Sequence, residues 1–501
     1  MDCVKYNKID PDLERFSFPG YRRFVELRER VDDCLKGLRT MEEKQKYLPP
    51  TKWQRSNNNA YVDFLYRSLF PMETKSSLDI YEGLFRIGSP TVELPEDGRM
   101  NYIVKDASSS HDGLKNIQIR LNKEQMSHGL RVLLLEVRKD AEKPFFIQEY
   151  EADKFISFHY NEENILDMVL LDESCLYHDI TDWTYSKITK FRILALDSNG
   201  EYYQRSVTPK ELDGFDIYNP PQDDNTIYPD YQEKRFNMIP VVFCGAKGLS
   251  CVNLDDPQLI STADCEIKLF KSMAHNSQHI YMNTQESIVI TGVSNSFEIK
   301  DDEFVAGAVV VIPGENAKAQ YLSTNGIGFE AEEKEIARLK ETIETQRMSM
   351  MSAKSHQSTE TVSMQQNSHS APLRTIVEVS GDAITFILKY IAVWMGYDSE
   401  NVEKIVYIPS ESFANPKYNI SEFISLSKAV ASGEVKMLEE DLFQMAKESR
   451  FVTSKYSWDV FKKKYDIELE ERKNRDGVFV SGNGNPFAGK FNDPDQTDSN
   501  I

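Results

Sequence analysis

Two histidines in the sequence have a spacing that is typical of metal sites. His275 and His279 stand four positions apart, and on one helix that spacing places two imidazoles on the same face. A zinc hydrolase site of this type also needs a glutamate directly after the first histidine and a third ligand, and the sequence offers neither. The favoured interpretation is a solvated pair, or a pair that faces another subunit.

Acidic clusters are the other candidates for metal chemistry. They are Asp223-Asp224, Asp255-Asp256 and Asp301-Asp302-Glu303. Carboxylates in such groups hold the divalent ions of nucleases. Because each cluster lies near proline or glycine, caps and turns are the favoured interpretation. One function that stays open is that of a metal-dependent nuclease or a terminase-like DNA-processing enzyme, which would require carboxylates ordered around a divalent ion. A monomeric scaffold or adaptor protein is another.

Phosphate binding and cysteine chemistry find little support. The segment 245–250 (GAKGLS) lacks the GxxxxGK[ST] spacing that wraps backbone amides around phosphates, so a plain turn is predicted there. The six cysteines are scattered without CxxC pairs, whereas zinc ribbons and redox pairs need close spacing. Free thiols in a reducing cytoplasm are expected. We therefore expect no enzyme, no catalytic residue, no metal and no cofactor.

The composition is that of an acidic globular protein. The 501 residues include 80 Asp or Glu and 59 Lys or Arg, which gives a formal net charge of −21, and 40% are hydrophobic. A chain of this length has room for more than one domain. A protein that grips duplex DNA normally offers a basic face. An acidic wall instead repels phosphate, so the charge is compatible with a protein through which DNA passes without sticking.

Membrane insertion is not expected. The N-terminus lacks the apolar region of a signal peptide. The longest apolar stretch, residues 383–395, contains Lys389 and is too short to span a bilayer.

The spacing of apolar residues predicts helices, then a β-rich block, then helices again. The first 45 residues are predicted to be helical. From about residue 130 to residue 245, apolar and polar residues alternate with period two, as they do in antiparallel strands. Further helices are predicted at about 59–70, 77–87, 257–282, 329–350, 372–395, 421–432, 438–449 and 458–471.

Two of the predicted helices differ in character. The helix over 329–350 has a narrow apolar stripe, which suits packing against neighbouring helices. The helix over 372–395 is apolar nearly all round, so burial is expected. A short β-rich insert precedes the first of them, and the polar segment 352–370, predicted to be a mobile loop, separates the two. The stripe consists of Ile336, Leu339, Ile343 and Met350.

The order of these segments resembles that of the portal proteins of tailed bacteriophages. A helix, a small β insert, a second helix, a polar loop, a long apolar helix and a helical C-terminal region follow one another. The local sequence is similar to one portal family of podophages and siphophages over roughly residues 45–450, and the order of the matching stretches is more specific than any one of them. These stretches are 47–49 (YLP), 61–69, 83–85 (GLF), 239–243 (IPVVF), 261–264 (STAD), 332–335 (EEKE), 394–396 (WMG) and 427–433 (SKAVASG).

The resemblance implies an α+β fold with portal architecture, namely a helical stem, a β-rich wing, a small β clip and an α-helical crown. In this sequence the wing would comprise residues 1–256, the first stem helix 257–282, the clip 283–328, the second stem helix 329–350, the tunnel loop 351–371, the long wing helix and strand 372–417, the crown 418–472 and a flexible tail 473–501.

The resemblance also implies a function. A portal is a ring of twelve subunits at one capsid vertex, through which double-stranded DNA is packaged and ejected. The implied partners are further copies of the chain, the major capsid protein, the terminase large subunit and head-to-tail adaptor or connector proteins. The implied location is the virion, with the host cytoplasm during assembly. The implied channel residues lie in the tunnel loop and are Ser352, Lys354, Ser355, His356 and Gln357.

Overall fold

A computed structural model of the protein describes most of the chain. The described residues are 11–56, 58–138, 142–179, 181–252, 254–284, 287–293, 309–313, 318–322, 327–351, 371–410, 426–430, 439–448, 458, 462 and 463. The chain divides into a larger unit, Met1–Phe85 with Thr91–Pro409, and a smaller unit, Arg86–Pro90 with Ser410–Ile501. The mixture of helices and strands confirms the predicted α+β class.

Helices precede, separate and follow the strands of the larger unit. In chain order they are α1 (Pro11–Phe16), α2 (Tyr21–Lys36), α3 (Leu38–Glu43), α4 (Lys52–Ser56), α5 (Asn58–Tyr66), α6 (Glu73–Phe85), α7 (Leu114–Ser127), α8 (Pro209–Leu212), α9 (Ile260–Thr284), α10 (Ile327–Met351), α11 (Ala371–Trp394) and α12 (Ser399–Glu403). Short 3-10 helices cover Asn101–Val104 and Ala152–Lys154.

The smaller unit is described over fewer residues. Its helix α13 spans Glu439–Glu448, and residues 426–430 are also helical. Both fall within helices that the sequence predicts. The remaining predicted helical residues of 418–472 lie largely outside the described residues, as does the predicted tail, 473–501.

The predicted N-terminal helix is in fact three helices, which are separated at Gly20 and Gly37. Both glycines have positive φ, of 90° and 86°, a conformation that other residues rarely adopt. A Cβ atom at Gly37 would lie 2.6 Å from the sulfur of Met72, so a side chain there would also require the flexible end of Met72 to move. Two further boundaries differ from prediction, since α5 ends at Tyr66 and α6 begins at Glu73.

The predicted antiparallel block between residues 130 and 245 is confirmed. The described strands of the whole chain are β1 (Thr91–Glu93), β2 (Leu130–Val137), β3 (Phe145–Glu151), β4 (Phe155–Tyr160), β5 (Leu166–Asp172), β6 (Cys175–Asp179), β7 (Thr184–Ile188), β8 (Phe191–Leu196), β9 (Tyr202–Val207), β10 (Thr226–Ile227), β11 (Asp230–Tyr231), β12 (Lys234–Arg235), β13 (Val241–Gly245), β14 (Ser287–Val293), β15 (Val309–Pro313), β16 (Lys318–Leu322) and β17 (Val406–Ile408). The block contains a five-stranded sheet of order β10-β9-β8-β5-β4 and a three-stranded sheet of order β13-β2-β3.

The main core of the larger unit forms where α11 packs against α7 and against strands β13 and β2. Most apolar residues of α11 are buried, as predicted, and Ile384 and Ile387 are fully inaccessible. The expectation of burial all round is wrong for Phe386 and Val393, which are 47% and 45% exposed. These two residues are seven positions apart, so they share the helix face that points away from the sheet.

A charged histidine links α2 to the end of α7. Both ring nitrogens of His128 face carboxylates. Nε2 lies 2.9 Å from Asp32 Oδ1, and Nδ1 lies 2.9 Å from Glu124 Oε2. Burial acts to lower the pKa of His128, but the hydrogen bond to Asp32 and the ion pair with Glu124 outweigh it and raise the pKa to about 10. The imidazolium is therefore the form that the two carboxylates bind at neutral pH.

The variant His128→Gln is expected to be less stable than the wild type by about 2 kcal/mol at pH 7, because a charge-assisted hydrogen bond to Asp32 and an ion pair with Glu124 are lost. The pKa of His128 is higher in the folded protein than the ordinary value of about 6.5. The stabilisation is thus fully present below pH 6 and is lost as pH rises through about 10. Urea unfolding of both proteins at pH 6, 8 and 10.5 measures this difference.

His159→Gln is the control for this prediction, because His159 lies 2.7 Å from Asp167 but is half exposed. We expect it to cost less than half as much stability. A destabilisation by His128→Gln that is the same at pH 6 and pH 10.5 would contradict the charged state of His128.

Candidate functional site

The helices α9 and α10 form an antiparallel hairpin. Near one end of the pair, Thr262 Oγ1 donates a hydrogen bond to Gln346 Oε1 at 3.2 Å. Near the other end, His279 Nδ1 lies 3.0 Å from Glu332 Oε2. The first part of α9 thus lies beside the last part of α10, and the last part of α9 lies beside the first part of α10. At 1.5 Å per residue, each 25-residue helix is about 37 Å long, so the hairpin is a rod.

A narrow apolar seam holds the two helices together. Leu269 of α9 and Leu339 and Ile343 of α10 are buried against one another. Ile336 packs partly buried against them, which confirms the predicted stripe over these positions, while the side chain of Met350 lies outside the described part of the chain. The neighbour that the stripe packs against is α9 of the same chain.

A small three-stranded sheet lies between the two helices in the sequence. Its central strand, β14, pairs in parallel with β15 and antiparallel with β16. The predicted strands at 287–290 and 308–312 are confirmed, and β16 is a further strand that the sequence analysis does not predict.

A buried carboxylate fixes α9 to the beginning of α6. Glu266 is inaccessible to solvent, and its two oxygens accept hydrogen bonds from the backbone N–H groups of Glu73 and Thr74, at 2.6 and 2.9 Å. These are free amides of the first helical turn, where a negative charge is favourable. Burial nevertheless raises the pKa of Glu266.

Arg347 of α10 reaches the same turn of α6. Its guanidinium donates to Glu73 Oε2 at 2.7 Å and to Ser77 Oγ at 3.0 Å, and it also pairs with Glu344 on its own helix. Both helices of the hairpin are therefore attached to the first turn of α6. Polar contacts of Glu266 and Arg347, in addition to apolar packing, therefore fix the hairpin to α6.

The two predicted histidines do not form a metal site. The ring of His275 stacks on Phe64 of α5, with 6.3 Å between centroids, while His279 binds Glu332 and meets the edge of Phe329. Within the described residues, no group of three or more His, Cys, Asp or Glu side chains could hold a metal ion.

The acidic clusters act as turn and loop contacts where the structure describes them. The carboxylate of Asp223 accepts hydrogen bonds from both terminal nitrogens of Arg205. Asp255 Oδ2 accepts the backbone N–H of Lys247 at 2.8 Å. Asp301-Asp302-Glu303 lies outside the described residues.

The predicted turn at 245–250 is confirmed, because Gly245 N–H donates to Gly248 O at 2.9 Å. The cysteines that the structure describes are free thiols, as expected; these are Cys34, Cys175, Cys244, Cys251 and Cys265.

The exposed charges of α10 pair with one another. Two ion pairs lie along the helix. Glu335 binds Arg338 at 2.7 Å, and the charged groups of Glu330 and Lys334 lie 3.7 Å apart. Pairs of this kind neutralise each other on the surface of the rod. The described part of α10 carries six glutamates and four basic residues, so it has no basic stripe of the kind that grips DNA.

The predicted channel residues Ser352, Lys354, Ser355, His356 and Gln357 all lie outside the described residues. Their neighbours in the sequence are described, since α10 ends at Met351 and α11 begins at Ala371. The segment thus joins the end of the rod to the helix that fills the core.

Comparisons with known proteins cover this same region. A family model described as a domain of unknown function, DUF4055, matches residues 258–395, which are less than half of the chain but include α9, α10 and α11. A comparison with curated proteins finds no match. A solved structure described as the "Neck of empty GTA particle computed with C6 symmetry" is similar at 8% identity and a TM-score of 0.36, over 77% of this chain and 93% of that chain. Similarity at that level does not assign a function.

In the described parts of the chain, none of the helices combines the length and the apolar character that a bilayer crossing requires.

Proposed function

We propose that this protein is a portal subunit of a tailed bacteriophage, which forms a ring at one capsid vertex around the channel for double-stranded DNA. One observation carries the proposal: a long antiparallel hairpin, interrupted by a small sheet, leads into a core helix. In this reading α9 and α10 are the stem, the sheet of β14, β15 and β16 is the clip, and α11 is the long wing helix. The antiparallel sheets before residue 246 belong to the wing.

The proposed role is that of a conduit and a docking site, without catalysis, metal or cofactor. Twelve copies would carry 12 × −21 = −252 formal charges. At physiological salt this field is screened over about 8 Å, so DNA close to the wall is repelled and moves without adhering. Lys354 and His356, in the proposed tunnel loop, would supply the few cationic contacts to passing phosphates. The major capsid protein, the terminase large subunit and connector proteins would bind the outside of the ring.

Purified protein is expected to form a closed ring of about twelve chains with a central hole. A ring requires one surface of each subunit to bind a different surface of the next, with a rotation that closes. Negative-stain electron microscopy, with a mass measurement on the same sample, tests both the symmetry and the hole. A stable monomer at micromolar concentration, with no ring even when capsid protein is added, would contradict the portal assignment.

A further inference from the structure

An open cleft of about 810 Å³ lies between the beginning of α2, strand β4 and the chain that precedes α9. It reaches the first residue of α9, Ile260, but includes no residue of the seam between α9 and α10. Its walls combine aromatic rings with cationic groups, and those used in the argument below are Phe18, Phe24, Phe158, Arg23, Arg28 and Lys247.

Arg28 is a buried cation in the wall of this cleft. The residue is only 4% exposed, and its guanidinium carbon lies 3.3 Å from the centre of the Phe24 ring. Nη1 donates to the carbonyl of Phe24 at 2.8 Å and Nη2 to the carbonyl of Asp255 at 3.1 Å, whereas Nε has no partner among the described residues. A guanidinium has five N–H groups, so these two bonds leave most of its donor capacity unused.

The charge of Arg28 is incompletely balanced. Burial lowers its pKa to about 9, although Asp256 and Asp255 act in the opposite direction. A buried cation that is bonded only to neutral carbonyls is unfavourable unless an anion is available to it. The wall thus presents a positive charge that the described residues do not neutralise by direct contact.

The beginning of α2 adds a second positive feature to the same cleft. Gly20 precedes the helix and offers no side chain to cap it, and the first turn contains no acidic residue. That turn instead carries Arg23, whose charged group is mostly exposed. The free amides and the dipole at a helix N-terminus favour an anion. A Cβ atom at Gly20 would meet no other atom within 4 Å, so this end of the helix has open space before it.

Two carboxylates of the cleft reduce its positive charge without removing it. Asp255 Oδ2 is engaged by the backbone N–H of Lys247 at 2.8 Å, and Asp256 Oδ2 lies 3.9 Å from Arg23. Three cationic side chains, Arg23, Arg28 and Lys247, therefore face two acidic ones. In a chain with a net charge of −21, a cleft with an excess of positive charge stands out from the average surface.

We propose that this cleft binds an acidic peptide segment of a partner protein. A carboxylate of the peptide would sit before the N-terminus of α2, between Arg23 and Lys247, with Arg28 behind it. A large apolar side chain of the same peptide would pack against Phe18 and Phe158, whose rings lie 6.2 Å apart. A peptide fits this cleft better than a nucleic acid strand, because a strand brings a phosphate with every nucleotide towards Asp255 and Asp256, whereas a peptide can combine one carboxylate with a neighbouring apolar side chain.

The probe for this site is a fluorescein-labelled peptide of sequence GSDFDFSG, whose binding to the full chain is measured by fluorescence anisotropy. The double variant Arg23→Glu/Lys247→Glu changes two exposed side chains, and we expect it to raise Kd at least tenfold. The matched control, Lys36→Glu/Arg39→Glu, makes the same change of charge near the other end of α2 and should alter Kd less than twofold. The same peptide with Asn in place of Asp should bind at least tenfold more weakly.

Three results would overturn the assignment. They are the absence of binding by the wild-type chain, equal effects of the two double variants, and competition by inorganic phosphate or by a single-stranded oligonucleotide as strong as that by unlabelled peptide. The proposal does not depend on the portal assignment, because a monomeric chain would carry the same cleft. An intact ring with no affinity for the probe would reject the cleft and leave the ring in place.

Discussion

Protein that carries Ile343→Asp is expected to lose the hairpin of α9 and α10 and to form no ring. Ile343 is 1% exposed and is buried with Leu269 and Leu339 in the seam. A carboxylate at that position has no cation among the described residues of the seam, and burying it there costs several kcal/mol, about 4 or more when the apolar contacts are also lost. Melting temperature and electron microscopy of the purified variant measure the two effects.

The matched control is Ala337→Asp, on the same helix and at an exposed position. It adds the same charge without burial, so rings with a nearly unchanged melting temperature are expected. Ile343→Ala should fall between the two, because it removes apolar contacts, at a cost of about 2 to 5 kcal/mol, but buries no charge. Rings of wild-type stability from Ile343→Asp would show that the seam does not hold the hairpin together.

Deletion of residues 352–357 is expected to leave the ring intact and to reduce DNA-filled particles at least tenfold. The deletion removes Lys354 and His356, the cationic groups proposed to meet DNA, but no residue of the seam or of the main core. A phage complementation assay counts filled particles, and microscopy of the same lysate confirms that the portal is incorporated.

Two variants distinguish the charge of this segment from its length. Lys354→Gln/His356→Gln keeps the length and removes both cationic groups, and it should reproduce part of the loss. Lys340→Gln removes one cationic group from an exposed position of α10 and should leave packaging unchanged. Normal numbers of filled particles from the deletion would remove the tunnel-loop assignment, while a ring would still support the portal assignment.

The helices of the candidate site could be predicted because their apolar residues follow a simple period. The stripe at Ile336, Leu339 and Ile343 predicts α10 and the face that it buries. The helix predicted at 257–282 is confirmed as α9, although the first residues form a turn in which Ile260 N–H donates to the carbonyl of Pro257. A turn of this kind is indistinguishable from a first helical turn in the sequence.

Other features follow from contacts that periodicity does not reveal. The helix α7 has Gln118, Asn122 and Gln125 at buried positions, so its pattern looks polar on the face that packs. Two of these amides find partners far away in the sequence. Gln118 Oε1 accepts a hydrogen bond from the Tyr407 hydroxyl at 2.8 Å, and Gln125 Nε2 donates to the carbonyl of Gly245 at 2.7 Å. Glu266 likewise looks like an ordinary surface carboxylate, because the amides that it binds come from a different helix.

The packing of α11 has a consequence for the time that the chain spends in synthesis. Its partner strands β2 and β13 end at Val137 and Gly245, yet α11 and the adjoining β17 are completed only at Ile408. The ribosome adds roughly 5 to 20 residues per second, so roughly 15 to 55 s pass between the synthesis of β2 and that of the helix and strand that complete this part of the core. Contacts so distant in sequence also slow folding itself. During that interval the nascent chain exposes a sheet that chaperones and other nascent chains compete to bind.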